Sequence, residues 1–172
     1  HDNITLHEVA IYDSEGKIEL VRRNASTFIS ALEETPAIIN DNYAIKDNDR
    51  FIVESKTFNK IDDGSIDILS ADVEGSEWYV LKHMISRPAV ISLETHGGIY
   101  VNPFLGQIMD WMKSNNYEIW YKTRSDTVFI KTDAIKVSFW DRFKLSITNS
   151  YLFLRRQKKR ARKMLLSSTP KG

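Results

Sequence analysis

The chain of 172 residues has no cysteine, which excludes disulfides and thiolate metal sites and leaves oxygen and imidazole as metal ligands. No apolar run approaches the roughly 18 residues that a membrane-spanning helix needs. Glycine is scarce as well. The glycines are Gly16, Gly64, Gly75, Gly97, Gly98, Gly106 and Gly172, and no pair before Gly97 has the Gly-x-Gly spacing of a nucleotide-binding turn. Internal repeats and low-complexity tracts are also missing. What remains is 42% hydrophobic, enough for one domain with a sizeable core.

A net charge of +1 conceals an asymmetry. From Lys136 onward there are eleven Lys/Arg against Asp141 alone, a balance of +10, whereas the preceding residues hold 13 basic and 22 acidic groups, or −9. An acidic body over 1–135 therefore carries a basic tail over 136–172.

Along the body, strand and helix patterns alternate. Ile4 to Ile11 and Lys17 to Val21 read as strands flanking the turn Asp13-Ser14-Glu15-Gly16, a hairpin pattern. Residues 24 to 50 read as polar and irregular, a plausible substrate loop with a short helix over Thr27 to Glu33 that stops before Pro36. Phe51 to Ser55 reads as a further strand, followed by the turn Asp62-Asp63-Gly64. Two short apolar runs then end abruptly in acids: Ile66 to Ala71 leads into Asp72, and Ala89 to Leu93 leads into Glu94-Thr95-His96. Such runs are typical of buried parallel strands, and acids just beyond their carboxyl ends would gather at the mouth where α/β sheets bind ligands. Between them, Trp78, Leu81 and Ile85 fall at helical spacing and predict a helix from about Gly75 to Ile85. Asn102-Pro103 reads as a helix start and Asn115-Asn116 as its end. Tyr117 to Lys122 and Thr127 to Lys131 read as an antiparallel hairpin.

Asp72-Val73-Glu74-Gly75-Ser76-Glu77, preceded by Ile66-Asp67-Ile68-Leu69 and followed by Val80-Leu81, closely resembles the signature of FkbM-type methyltransferases. Arg87 to His96 resembles that family's next strand, and Asn3 to Ile11 with the turn at Asp13 to Gly16 resembles its preceding one, so the likeness runs from residue 3 to about residue 131. The resemblance implies an α/β fold with a partial Rossmann-like class I methyltransferase sheet and a C-terminal hairpin. It also implies O-methylation of sugars, glycans or related natural products in bacterial pathways, with S-adenosylmethionine (SAM) as cofactor. Two departures accompany it. The glycine-rich turn and the ribose-binding acid are lacking, so the pattern reads as the C-terminal part of such an enzyme without its cofactor-binding half. Asn59 stands where the family usually has an aspartate.

The resemblance places Asp72, Glu94 and His96 in catalysis. In metal-dependent O-methyltransferases, carboxylates at these levels hold a divalent cation such as Mg²⁺ against the acceptor oxygens, so Asp72, Glu94 and His96 form the expected metal set. His96 serves alternatively as the general base, since its unperturbed pKa lies near 6.5. Asp72, Glu74 and Gly75 are the expected cofactor contacts, with Asp72 otherwise a helix cap. Glu74 and Glu77, three apart on one face, are also favoured in the first turn of a helix by its dipole alone, which suits a solvated or structural role. His7, His83, Trp78, Trp111 and Trp120 read as structural, whereas Tyr79 and Tyr100 near the mouth could stack on an acceptor.

In the tail, Trp140, Phe143, Ile147, Tyr151 and Leu154 recur at intervals of 3, 4, 4 and 3, a helical stripe that runs into the cations of Arg155 to Lys163. Two expectations compete for it. Trp140 to Ile147 should pack on the sheet, while aromatics followed by cations over 139–163 suit an anionic membrane surface. A cytoplasmic enzyme peripheral to the inner face of the membrane, meeting a small-molecule or glycan acceptor, is the location this implies. Nucleic acid is not expected, for want of interleaved aromatics or a recognisable module. Unpaired sheet edges offer a route to self-association. Two other readings remain: a non-catalytic methyltransferase-like module that binds a membrane or partner through its tail, and a metal-dependent nucleotide-sugar glycosyltransferase using Asp72-Val73-Glu74.

Overall fold

The computed structural model describes residues 3–24 and 26–167. Residues 168–172 of the tail, with Lys171, lie outside the described residues.

The first half builds a sheet from β1 (Ala10–Ile11), β2 (Gly16–Arg23), β3 (Ser26–Ile29) and, after helix α1 (Pro36–Asp41), β4 (Arg50–Lys56), in the order β1-β4-β2-β3. The hairpin expected between residues 4–11 and 17–21 does not form. β4 lies between them, parallel to β1 and antiparallel to β2, and the Ser55 hydroxyl donates to the Ser14 carbonyl, so β4 rather than the neighbouring strand holds the turn. The helix expected over 27–33 is instead β3, whose Phe28 and Ile29 are buried with Val21 and Ala37 nearby. Pro36 opens a helix rather than closing one. It occupies the first turn of α1, where a missing N–H costs nothing, and Thr35 caps by accepting from the Ile38 amide at 3.4 Å. The stretch 24–50 therefore holds a strand, a helix and a 3₁₀ turn where an irregular loop was expected.

The second half follows the expected alternation more closely: β5 (Ile68–Ala71), α2 (Glu77–Lys82), β6 (Val90–Glu94), the small ribbon β7 (His96–Gly97) with β8 (Tyr100–Val101), α3 (Leu105–Ser114), β9 (Tyr117–Lys122) and β10 (Asp126–Lys131). Its sheet runs β5-β6-β10-β9, with β5 and β6 parallel and β10 antiparallel to both its neighbours. The closing hairpin is present, with a bulge between Val128 and Phe129. Thr127 to Ile130 are all buried, as a central strand covered on both faces demands. Leu69, Ile91, Leu93 and Phe129 meet Val80 and Leu81 of α2 and Ile108 and Met112 of α3 in the main core, each such side chain contributing about 1.5–3 kcal/mol of transfer free energy. Asp62 locks the entry to β5 against the end of α2. It accepts from the amides of Gly64, Ile85 and Ser86 and from the Ser86 hydroxyl, and although burial raises its pKa, these bonds outweigh burial and hold it below the usual carboxylate value. Among the described residues β5 has no partner on its outer side, and Ile68 there is exposed.

Helix α4 (Phe139–Ser167) crosses β9 and reaches back to the first half. Arg142 pairs with Glu118 at 2.8 Å near one end, and Lys163 donates to the Ile39 carbonyl and the Asn42 side chain near the other. Its half-buried residues include Leu145, Thr148, Leu152 and Arg156. The stripe that periodicity singled out points the other way: Trp140 is 67% exposed, Ile147 56% and Leu154 66%. The segment Trp140 to Ile147 thus packs on the sheet as expected, but through Leu145, while the stripe residues Trp140, Phe143 and Ile147 within it face outward. No helix among the described residues is long and apolar enough to cross a membrane.

Candidate active site

β5 and β6 run parallel and end side by side, so the residues just past them share one mouth. Asp72 follows β5 and is exposed, and Glu94 closes β6 with one carboxylate oxygen, Oε2, buried without a hydrogen-bond partner among the described residues. Glu77 arrives from α2. One oxygen of each of these three acids lies within 4.8 Å of the others. Burial first, then the charges of Asp72, Glu74 and Glu77, raise the Glu94 pKa to about 8. Burial likewise raises Glu77 to about 7, against hydrogen bonds that pull it down.

The segment between Asp72 and Glu77 is a tight turn. The Ser76 amide donates to the Val73 carbonyl, and the two residues between them have positive φ, +53° at Glu74 and +103° at Gly75, as in a type I′ turn. Glycine at position 75 is needed twice over, since a Cβ there would also lie 3.1 Å from the Tyr100 hydroxyl. Glu77 folds back under this turn, accepting from the amides of Val73 and Gly75 and from the Asn102 side chain. It is fully buried rather than solvated on a helix face.

A family model described as Methyltransferase FkbM domain matches residues 1–119. The chain belongs to the FkbM methyltransferase family. No curated protein and no solved structure matches it.

The FkbM signature of this chain therefore divides its labour. Gly75 and Glu77 make and support the turn, and Asp72 is left facing outward at the end of β5. Gly75 is buried beneath Tyr100, and Glu74 is half-buried outside the helix. Of the expected metal set, the structure brings together Asp72 and Glu94, with Glu77 as the third acid. His96 stands apart from them. Its Nε2 lies 3.2 Å from the Thr123 carbonyl and its Nδ1 2.8 Å from the Thr95 hydroxyl. A carbonyl only accepts, so Nε2 carries the proton and Nδ1 accepts from Thr95, which in turn accepts from Thr127. Both nitrogens of this buried ring are occupied, and burial lowers its pKa, so no free lone pair remains for a metal ion or an acceptor proton.

The expected stacking platform is also absent. Tyr100 is fully buried, and the Tyr79 ring packs between Tyr12 at 4.8 Å and Phe104 at 5.3 Å. His83 bonds Asp13, and Trp78 and Trp111 pack against the core, in line with structural roles. Three roles escaped sequence reasoning. Asn102 bridges Glu77 and the Glu94 carbonyl, and Asn40 of α1 holds the amides of Ile99 and Tyr100. Tyr100 places a hydroxyl with no hydrogen-bond partner, among the described residues, against the signature turn. Single polar residues at such positions carry no local signal in a sequence. Beside Asp72, a cavity of about 200 Å³ opens between the two halves, walled by Leu20, Phe28 and Ile29.

Proposed function

We propose that the chain forms the acceptor-side part of a SAM-dependent O-methyltransferase acting on a hydroxyl of a sugar or related natural product. The observation that carries this reading is the pair Asp72 and Glu94 at the adjacent carboxyl ends of two parallel strands, within a sheet whose order and closing antiparallel strand suit the second half of a Rossmann-like methyltransferase sheet. SAM carries a cationic sulfonium and a cationic ammonium group. The residues present fit such a cation: Asp72 is exposed, Glu94 Oε2 is buried and unpartnered, and neither acid is ion-paired among the described residues. They supply no glycine-rich turn for its nucleoside end. When bound, the cofactor supplies an electrophilic methyl group to the acceptor oxygen. Asp72 orients the acceptor hydroxyl, and Glu94, whose pKa lies near the working pH, takes its proton. Should a divalent cation take part, Asp72 and Glu94 are its ligands from this chain.

Calorimetric titration of SAM and S-adenosylhomocysteine into the folded chain, with and without magnesium, tests the proposal. Saturable binding is expected, with Asp72→Asn and Glu94→Gln each lowering methyl transfer to a glycan acceptor by about 10²-fold or more. A folded chain that binds neither compound overturns it in favour of a non-catalytic module.

The outward stripe of α4 supports a second element of the proposal, attachment to an anionic membrane surface. Trp140, Phe143, Ile147, Tyr151 and Leu154 form one exposed apolar face that continues into Lys158, Lys159, Arg160 and Arg162, and this charge complements anionic lipid. The chain is expected to float with phosphatidylglycerol vesicles and not with phosphatidylcholine vesicles, and Phe143→Glu with Ile147→Glu should reduce flotation at least about tenfold. Flotation that survives both substitutions, or none at all, removes this element.

A further inference from the structure

Beneath α4 lies a cavity of about 320 Å³, on a different part of the sheet end from the acids. Its apolar side is formed by Leu105 and Met109 of α3, Ile119 of β9, and Leu152 and Phe153 of α4. Two cations face into it, Lys122 from the end of β9 and Arg156 from α4. Both are half-buried, and neither makes a side-chain hydrogen bond or ion pair among the described residues. The lysine's pKa is lowered by burial first and then by the arginine's charge. Thr95, Thr127, Asn149 and His96 complete the lining; burial lowers the His96 pKa and both its nitrogens are engaged by Thr95 and Thr123, so it serves as wall rather than ligand.

Two like charges taken partly out of water and left unpaired are costly, and a fold without use for them would be more stable with apolar side chains there. An anion inside the cavity removes that cost. The planar fork of Arg156 suits two phosphate oxygens, Lys122 adds a point charge, and the apolar walls suit a carbon chain. We propose that this cavity binds an organic phosphate, its phosphate held by Lys122 and Arg156 and its carbon portion against Leu105, Leu152 and Phe153. Binding ties α4 to the sheet, since one cation comes from each. The inference stands apart from the methyl-transfer proposal, because it uses neither Asp72 nor Glu94 and its test needs no turnover.

The test is calorimetric titration of the full chain with hexyl phosphate, inorganic phosphate and hexanol. Hexyl phosphate should bind at least about tenfold more tightly than inorganic phosphate, and hexanol should not bind measurably. Lys122→Met and Arg156→Met should each weaken hexyl phosphate at least about tenfold, while the free variants melt no lower than the parent chain. Lys122→Arg, which keeps the charge, serves as the folding control and should retain binding. Lys158→Ala with Lys159→Ala should leave the affinity for hexyl phosphate unchanged, although it removes two of the cations offered to anionic lipid. Competition by phosphatidic acid vesicles would assign the phosphate to a lipid, and its absence with hexyl phosphate still bound would assign it to a soluble molecule. The proposal is overturned if no phosphate binds saturably, if binding survives loss of both Lys122 and Arg156, or if it is lost with Lys158 and Lys159, which would place the anion on the exposed tail.

Discussion

Replacing Glu77 by alanine is expected to lower the unfolding free energy by about 3 to 5 kcal/mol, a large share of the stability of a small domain. Three donors lose their acceptor at once: the amides of Val73 and Gly75 and the side chain of Asn102. All of this takes place at a fully buried position where water cannot easily substitute. Glu77→Gln should cost less than half as much, because the amide keeps the volume and one acceptor oxygen for the turn. The same comparison addresses function, since the turn that Glu77 supports aims Asp72. Urea unfolding of the two variants gives the measurement, and an alanine variant within about 1 kcal/mol of the parent would sink the buttress argument.

A second large effect is expected from pH. The carboxyls of Glu94 and Glu77 have folded-state pKa values raised from 4.5 to about 8 and about 7, so the folded chain holds protons that the unfolded chain releases. Their contribution to stability is fully present below about pH 4.5 and is lost as pH rises through about 7 and then about 8. Asp62 works in the opposite sense. Its pKa is lowered, so its contribution is present above about 3.8 and is lost as the solution becomes more acid. Thermal melts should therefore show a fall of several degrees between pH 5 and pH 9, flattened in Glu94→Gln, which mimics the protonated acid. Parallel curves for the parent and Glu94→Gln over that range would show that Glu94 does not sit in the apolar, acid-lined environment described. Because Asp72 is exposed, Asp72→Asn should relieve only part of the slope.

The elements following residue 66 were largely legible, and the reason is physical. β5, β6, β9, β10, α2 and α3 each bury a side chain pattern of their own period, and short connections leave few alternatives for how they pair. The first half resisted because its pairings are not local. β1 and β2 are separated by a turn that reads as a hairpin, yet β4, about thirty residues on, supplies the partner for both. Pro36 is compatible with ending a helix or beginning one, and only the buried surface at Ala37 favours the second.

The site divides along the same line. Asp72 and Glu94 were readable as acids at strand ends, and the turn at Gly75 followed from its residue type. His96 was misplaced because strand alternation would put Glu94 and His96 on one face, yet β6 ends at Glu94 and His96 opens the separate ribbon β7, where its ring turns into the threonine network instead of toward the acids.

By itself the sequence determined the family, the absence of thiol chemistry and of a glycine-rich turn, the strand–acid pattern and the helical character of the tail, because each depends on residue type and spacing within one stretch of chain. The tertiary structure alone decided that Glu77 is a buried support, that His96 has no free nitrogen, that Lys122 and Arg156 share a cavity and that the aromatic stripe of α4 faces outward. Those properties depend on which surface the rest of the chain brings alongside, and burial is a relation between segments that no single segment carries.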